Sequence, residues 1–165
     1  MRDFHRSLFE EKDYKSRQYS MVVISFRNAT MGDFQAIFLL LKQLWPDEEL
    51  SRERTRAIFE DALKNRGGVQ LVIRNREIIV GYASVTFRQD IQAQGRVAYL
   101  SEFVVDEVYR NRGFGESLLR EISRQSKAAG AKELQLSSTF RREDVHAFYE
   151  KRGFHKTAYF FWKEL

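Results

Sequence analysis

Residues 100 to 119, Leu-Ser-Glu-Phe-Val-Val-Asp-Glu-Val-Tyr-Arg-Asn-Arg-Gly-Phe-Gly-Glu-Ser-Leu-Leu, constrain this chain more than any other stretch. They read as a β-branched and aromatic strand, a basic turn holding Gly113 and Gly115, and a helix opening directly out of that turn. Such a turn suits a polyphosphate. Glycines let a ligand approach the backbone, and the first N–H groups of a helix are unpaired at the positive end of its dipole. Arg110 and Arg112 add formal charge beside those donors.

The charge balance points to the same place. The net charge is +5. From Arg110 to Arg142 there are eight Lys/Arg against three acids, so this stretch carries the whole surplus and the rest of the chain is formally neutral. A local anion site explains that distribution better than a nucleic-acid surface, which would spread its charge more widely. With no cysteine, thiol catalysis, disulfides and cysteine-ligated metals are excluded, and a reducing cytoplasm fits. His5, His146 and His155 show no metal spacing, so no metal is expected. No apolar run approaches the roughly 18 residues of a membrane span. The charged first twenty residues do not resemble a signal peptide.

Around the turn the periodicities predict one mixed α/β domain over residues 21–165, preceded by an N-terminal arm, 1–20. Val22 to Arg27 is a strand. Phe34, Ile37, Phe38, Leu41 and Leu44 mark an amphipathic helix ended by Pro46. A second helix starts at Ser51, with Ile58, Ala62 and Leu63 facing inward, and stops at Asn65-Arg-Gly-Gly68. Val69–Arg74 and Ile78–Phe87 form a hairpin, followed by the strand Val97–Val105. Phe114, Leu118, Ile122 and Ala129 then predict a helix capped by Gly130, Leu134 and Leu136 a strand, and Glu143–Arg152 a short helix. Phe154 and Ala158–Trp162 supply the last strand or strands, giving the order βααβββαβαβ in a central, mostly antiparallel mixed sheet.

The turn Arg110-Asn-Arg-Gly113-Phe-Gly115, five residues past Val104-Val105, resembles the acyl-coenzyme A turn of the GCN5-related N-acetyltransferases (the GNAT superfamily). His146-Ala-Phe-Tyr149-Glu-Lys-Arg-Gly153-Phe154 is similar to the second signature of that family, and the interval between the two motifs leaves room for one helix, one strand and one turn. Rival nucleotide motifs do not match: there is no Walker Gly-Lys-Ser/Thr and no third glycine of a dinucleotide fingerprint.

The resemblance implies an acetyl-coenzyme A-dependent N-acetyltransferase acting on a primary amine. It implies that Arg110, Asn111, Arg112, Gly113, Phe114, Gly115 and Glu116 hold the coenzyme's phosphates, and that Phe103, Val104, Val105 and Phe148 border its pantetheine arm. Arg142 replaces an asparagine that often touches that arm, and is expected to meet a coenzyme phosphate. Tyr149 matches the tyrosine that protonates the departing thiolate. Glu102 is the candidate base, with Tyr99 and Ser101 as secondary candidates on the opposite strand face. His146, one turn before Tyr149, reads as a solvated helix histidine. Trp45-Pro-Asp-Glu-Glu49, beside the acceptor pocket of such enzymes, would suit a small cationic amine. The other reading is a non-catalytic acyl-coenzyme A sensor or interaction module. Neither nucleic acid nor a membrane is expected as a partner, and a homodimer is left open.

Overall fold

The computed structural model describes residues 23–165, so the expected arm, 1–20, lies outside the described residues. Strands β1 (Ile24–Asn28), β2 (Gly68–Asn75), β3 (Ile78–Asp90), β4 (Gly95–Val105) and β5 (Glu133–Leu136) form one sheet in the order β1-β2-β3-β4-β5. The first four pair antiparallel as a meander, and β5 pairs parallel to β4. Helices α1 (Phe34–Leu44) and α2 (Arg52–Lys64) lie between β1 and β2, α3 (Phe114–Ala128) between β4 and β5, and α4 (Glu143–Glu150) after β5.

Apolar alternation along the strands serves a core on each face of the sheet. Leu71, Ile73, Ala83, Val85, Leu100 and Val105 meet Phe114, Leu118, Leu119 and Ile122 of α3 and Tyr149 of α4. On the opposite face Val72, Tyr82 and Val104 meet Phe34, Ile37, Phe38 and Leu41 of α1. The predicted span of α1 matches residue for residue. In α2 the inward stripe is shifted: Ile58 is 70 % exposed, whereas Phe59 is 5 % exposed. Phe59 lies 5.9 Å from Phe34 and 6.2 Å from Tyr82 by ring centroids. The larger ring takes the site facing other rings, and its neighbour one position away must then point to water.

The predicted final strand is not formed. No strand follows α4, and residues 155–165 are all exposed. Tyr159, Phe160, Phe161 and Trp162 have the residue types of a strand, but a strand also needs a neighbour to pair with, and the segment lies apart from the sheet.

One polar contact fixes the entry to α1. Asp33 accepts both guanidinium nitrogens of Arg27, at 2.6 and 2.7 Å, and also the N–H and hydroxyl of Thr30. The Arg27 bond outweighs the opposing effect of burial and holds the Asp33 carboxyl well below the usual range, at about 2. A depressed carboxyl stabilises the fold above its unfolded value, and that stability is lost as pH falls toward the folded value. Asp33→Asn should therefore cost about 1–2 kcal/mol at neutral pH, allowing for the partly exposed arginine. Denaturant unfolding should show the wild type losing this margin between about pH 4 and pH 2 while the variant changes little there.

Candidate active site

The sheet opens where β4 and β5 part. Their parallel ladder runs from Val97 paired with Glu133 to Leu100 paired with Leu136 and stops there. At the same point β4 carries a bulge: Val85 of β3 pairs with Leu100 and Ser84 with Glu102, leaving Ser101 as the extra residue. Beyond it, residues 101–105 keep β3 on one side and, among the described residues, have no strand on the other.

Directions of hydrogen bonding alternate along a strand. The Val105 carbonyl turns outward to accept from Arg110 Nε at 3.0 Å, while the next N–H, of Asp106, donates back to Val80 of β3. Phe103 and Val105 therefore present their main-chain groups to the open edge, and Val104 presents its own to Tyr82.

The bulge also resets the faces. Glu102 pairs with Ser84 and Tyr99 with Thr86, and Ser84 and Thr86 are two residues apart on β3. Glu102 and Tyr99 thus share a face, correcting the expectation from unbroken alternation that they oppose each other. Burial pushes the Glu102 carboxyl upward, and the Ser84 hydroxyl, hydrogen-bonded to it, opposes that rise. Arg88 lies farther along this face, donating to Gln135 Oε1 at 3.0 Å and lying 6.0 Å from the Tyr99 ring centroid. The Tyr99 hydroxyl meets Ser137 at 2.9 Å.

Phe103 points to the other face, where Tyr149 and Phe148 lie with ring centroids 6.2 and 6.1 Å from it. Tyr149 is 9 % exposed, held by Phe103, Phe148 and Phe154. Its hydroxyl bonds to no group among the described residues. Burial pushes the phenol up to about 12, against the opposing charge of Arg142, so it stays protonated through the neutral range. A carboxylate and a phenol therefore flank the open edge of β4 from opposite faces.

The basic turn completes the edge. Asn111 (φ 59°) and Gly113 (φ 83°) adopt left-handed backbone, and Gly113 caps α3. Among the described residues the N–H groups of residues 111 to 116 donate to no protein group, so a run of main-chain donors faces outward at the positive end of a helix of about four turns. A Cβ on Gly113 would meet nothing within 4 Å: the space before the turn is open. Phe114 is 1 % exposed and stacks edge-on with Tyr109, so its side chain belongs to the core and only its N–H faces out. Arg112 lies 5.8 Å from the Tyr109 ring centroid. Gly115 brings α3 against α4 and β4, with its Cβ position 3.7 Å from Phe148 and 3.8 Å from Val105.

Two arginines stand at the ends of α4. Arg142 opens α4 and donates to the Leu44 carbonyl at the end of α1. Arg152, beyond the other end of α4, reaches the first turn of α3 instead. It donates to Glu116 Oε2 at 2.9 Å and lies 3.9 Å above the Phe148 ring. Arg152 falls within the second motif, and nothing in the sequence marks it as the clasp between α3 and α4. Trp45 packs at the end of α1, and Asp47, Glu48 and Glu49 are exposed beside it. His146 bonds the Thr139 carbonyl, anchoring the loop before α4. Among the described residues no group of acidic, His or Cys side chains could hold a metal ion, and no helix is long and apolar enough to cross a membrane.

A family model described as the Acetyltransferase (GNAT) family matches residues 34–154, which span the fold from α1 through the second motif. Aminoalkylphosphonate N-acetyltransferase of Salmonella typhimurium is 26% identical over 151 residues, covering 92% of this chain and 97% of that protein. Glucosamine 6-phosphate N-acetyltransferase 1 of Oryza sativa subsp. japonica is 31% identical over 134 residues, covering 78% and 79%. The solved structure of a putative acetyltransferase from Agrobacterium tumefaciens superposes with a TM-score of 0.76 at 26% identity, covering 86% of this chain and 99% of that one.

Proposed function

The chain belongs to the acetyltransferase (GNAT) family, and from that premise we propose that it moves the acetyl group of acetyl-coenzyme A directly onto a small primary amine. The observation that carries this reading is the meeting of an outward-facing run of main-chain donors at residues 111–116 with an unpaired strand edge and an unpartnered phenol. The donor run suits a pyrophosphate, and the open edge suits an amide-bearing arm lying alongside like an added strand.

In this account the amine nitrogen bonds to the thioester carbonyl carbon and the carbon–sulfur bond breaks. Glu102 takes the ammonium proton before attack, the N–H groups of Phe103 and Val105 stabilise the developing oxyanion, and the Tyr149 hydroxyl protonates the departing thiolate and is reprotonated by the second proton that the acylated nitrogen sheds through solvent. Raised by burial, Glu102 is a better base than an exposed carboxylate once ionised. Raised likewise, Tyr149 is held in the form that can donate. Arg110, pinned to the Val105 carbonyl, positions the turn relative to the edge.

For the acceptor, Asp47, Glu48 and Glu49 favour a cationic amine. Arg88 supports a second class, an amine that also carries a phosphonate or phosphate, because it shares a sheet face with Glu102 and Tyr99. The acceptors named in two relatives, an aminoalkylphosphonate and glucosamine 6-phosphate, are of that class. Competition between a simple diamine and an aminoalkylphosphonate for turnover separates the two. Arg88→Ala should raise KM only for the phosphonate.

The seat of the coenzyme is tested by Gly113→Val. A β-branched residue resists φ near +83° and places its methyls in the open space before the turn. Calorimetric titration with coenzyme A should show affinity falling at least about tenfold, or 1.4 kcal/mol, with the circular dichroism spectrum of the fold retained. Unchanged affinity would remove the turn from the account.

A further inference from the structure

The ion pair between Arg152 and Glu116 is a feature of the site that the proposed reaction leaves unexplained. It joins two helices at the mouth of the donor turn, with Arg152 Nη2 2.9 Å from Glu116 Oε2. The Glu116 side chain is 56 % exposed, and a pair so open to water adds little to stability. Arg152 is also held at a cost. Its Nε is buried and has no hydrogen-bond partner among the described residues, a loss that a fold seldom keeps without a use for it.

The position of Glu116 explains the use. Gly113 caps α3, so Phe114, Gly115 and Glu116 are its first three residues. A glutamate at the third helical position is placed to reach back to the N–H of the capping residue, and its charge is favoured at the positive end of the helix. Those N–H groups are the ones offered to the pyrophosphate. Left alone, the carboxylate would compete with the coenzyme for its donors and repel its phosphates. The arginines of the turn are engaged elsewhere: Arg110 donates to the Val105 carbonyl, and Arg112 lies against the Tyr109 ring. Arg152 takes the acid instead. Its guanidinium is fixed on α4 by a bond from Nη1 to the Phe148 carbonyl at 2.9 Å and by the Phe148 ring 3.9 Å away.

We propose that Arg152 is a positioning residue for coenzyme binding: it draws the Glu116 carboxylate off the N-terminus of α3 and cancels its charge, leaving the donor run free for the phosphates. This rests on the reading of residues 111–116 as the coenzyme's seat. The effect is electrostatic and passes through Glu116, not through a contact of Arg152 with the ligand.

Calorimetric titration of the full-length protein with coenzyme A tests it. Arg152→Met keeps an apolar stem over Phe148 and removes the charge. Its dissociation constant should rise about tenfold, and the rise should shrink as salt is added, because like charges are screened. Adding Glu116→Gln should bring the affinity back to within about threefold of the wild type. Arg152→Lys, which keeps the charge, should lose less than Arg152→Met. Arg152→Gln, whose amide can keep the bond to Phe148, is a second charge-free variant and should behave as Arg152→Met does. With 3′-dephospho-coenzyme A the loss and the recovery should be the same, since the competition is for the pyrophosphate donors. Unchanged affinity in the charge-free variants would overturn the proposal, and so would a loss that Glu116→Gln does not reverse. A loss seen with coenzyme A but not with the dephospho form would put Arg152 on the 3′-phosphate and overturn it as well. Each of these outcomes leaves the coenzyme's seat in place, whereas a wild type that binds no coenzyme A would remove the seat and the proposal together.

Discussion

Tyr149→Phe should lower kcat by about a hundredfold or more while leaving affinity for coenzyme A unchanged. Removing the oxygen costs the fold little, because the hydroxyl has no hydrogen-bond partner among the described residues and the ring contacts with Phe103, Phe148 and Phe154 remain. Thermal unfolding should therefore be nearly superimposable on that of the wild type. A truncation to alanine would confound the result, since losing a buried ring costs about 3–5 kcal/mol. With the phenol pushed up to about 12, its ionisation lies outside the neutral range, so the wild-type rate should show no fall from this group near neutral pH. If Tyr149→Phe keeps full kcat with a poor acceptor as well as a good one, the thiolate takes its proton from elsewhere.

Glu102→Gln should cost about 10²–10⁴ in kcat/KM, the range of a positioned base. The sign of its pH dependence follows from burial. A base must be ionised, and burial raises the pKa of Glu102, so the acidic limb of the wild-type profile should lie above the ordinary carboxylate range. The glutamine variant should lose that limb. Ser84→Ala supplies the companion result. The Ser84 hydroxyl stabilises the ionised carboxylate, so its removal should move the acidic limb to still higher pH, and Ser84→Thr should restore it. A profile whose limb stays in place in both variants would assign it to another group. If the limb survives in Glu102→Gln, the strand carboxylate is not the base.

Local signals made the α1 span, the turn at 110–115, and the stop of α4 before Gly153 legible in the sequence. An apolar stripe, a pair of glycines and a left-handed residue each act within a few residues of themselves. What pairing decides was not legible. The bulge at Ser101 has no glycine to mark it and exists only because β3 and β4 fall out of step there. That one residue brings Glu102 and Tyr99 to a common face. Phe59 rather than Ile58 enters the core because of rings on other elements. The direction of α4 determines which arginine meets α3. Arg142 and Arg152 are equivalent as charges, but they stand at opposite ends of the helix, and only Arg152 reaches Glu116. The aromatic run at 159–162 has the residue types of a strand, but it pairs with no strand among the described residues.

The account's central claim is that the open edge of β4, with the donor turn beyond it, carries out acetyl transfer rather than merely holding a coenzyme. Its most direct test is release of free thiol from acetyl-coenzyme A, followed together with the mass of the amine, across a panel that includes diamines and aminoalkylphosphonates. The account predicts thiol released one for one with an acetylated amine, dependent on both substrates and reduced in Tyr149→Phe. Coenzyme A bound tightly, with no thiol released for any amine, would contradict it and leave the protein a sensor of the acyl carrier.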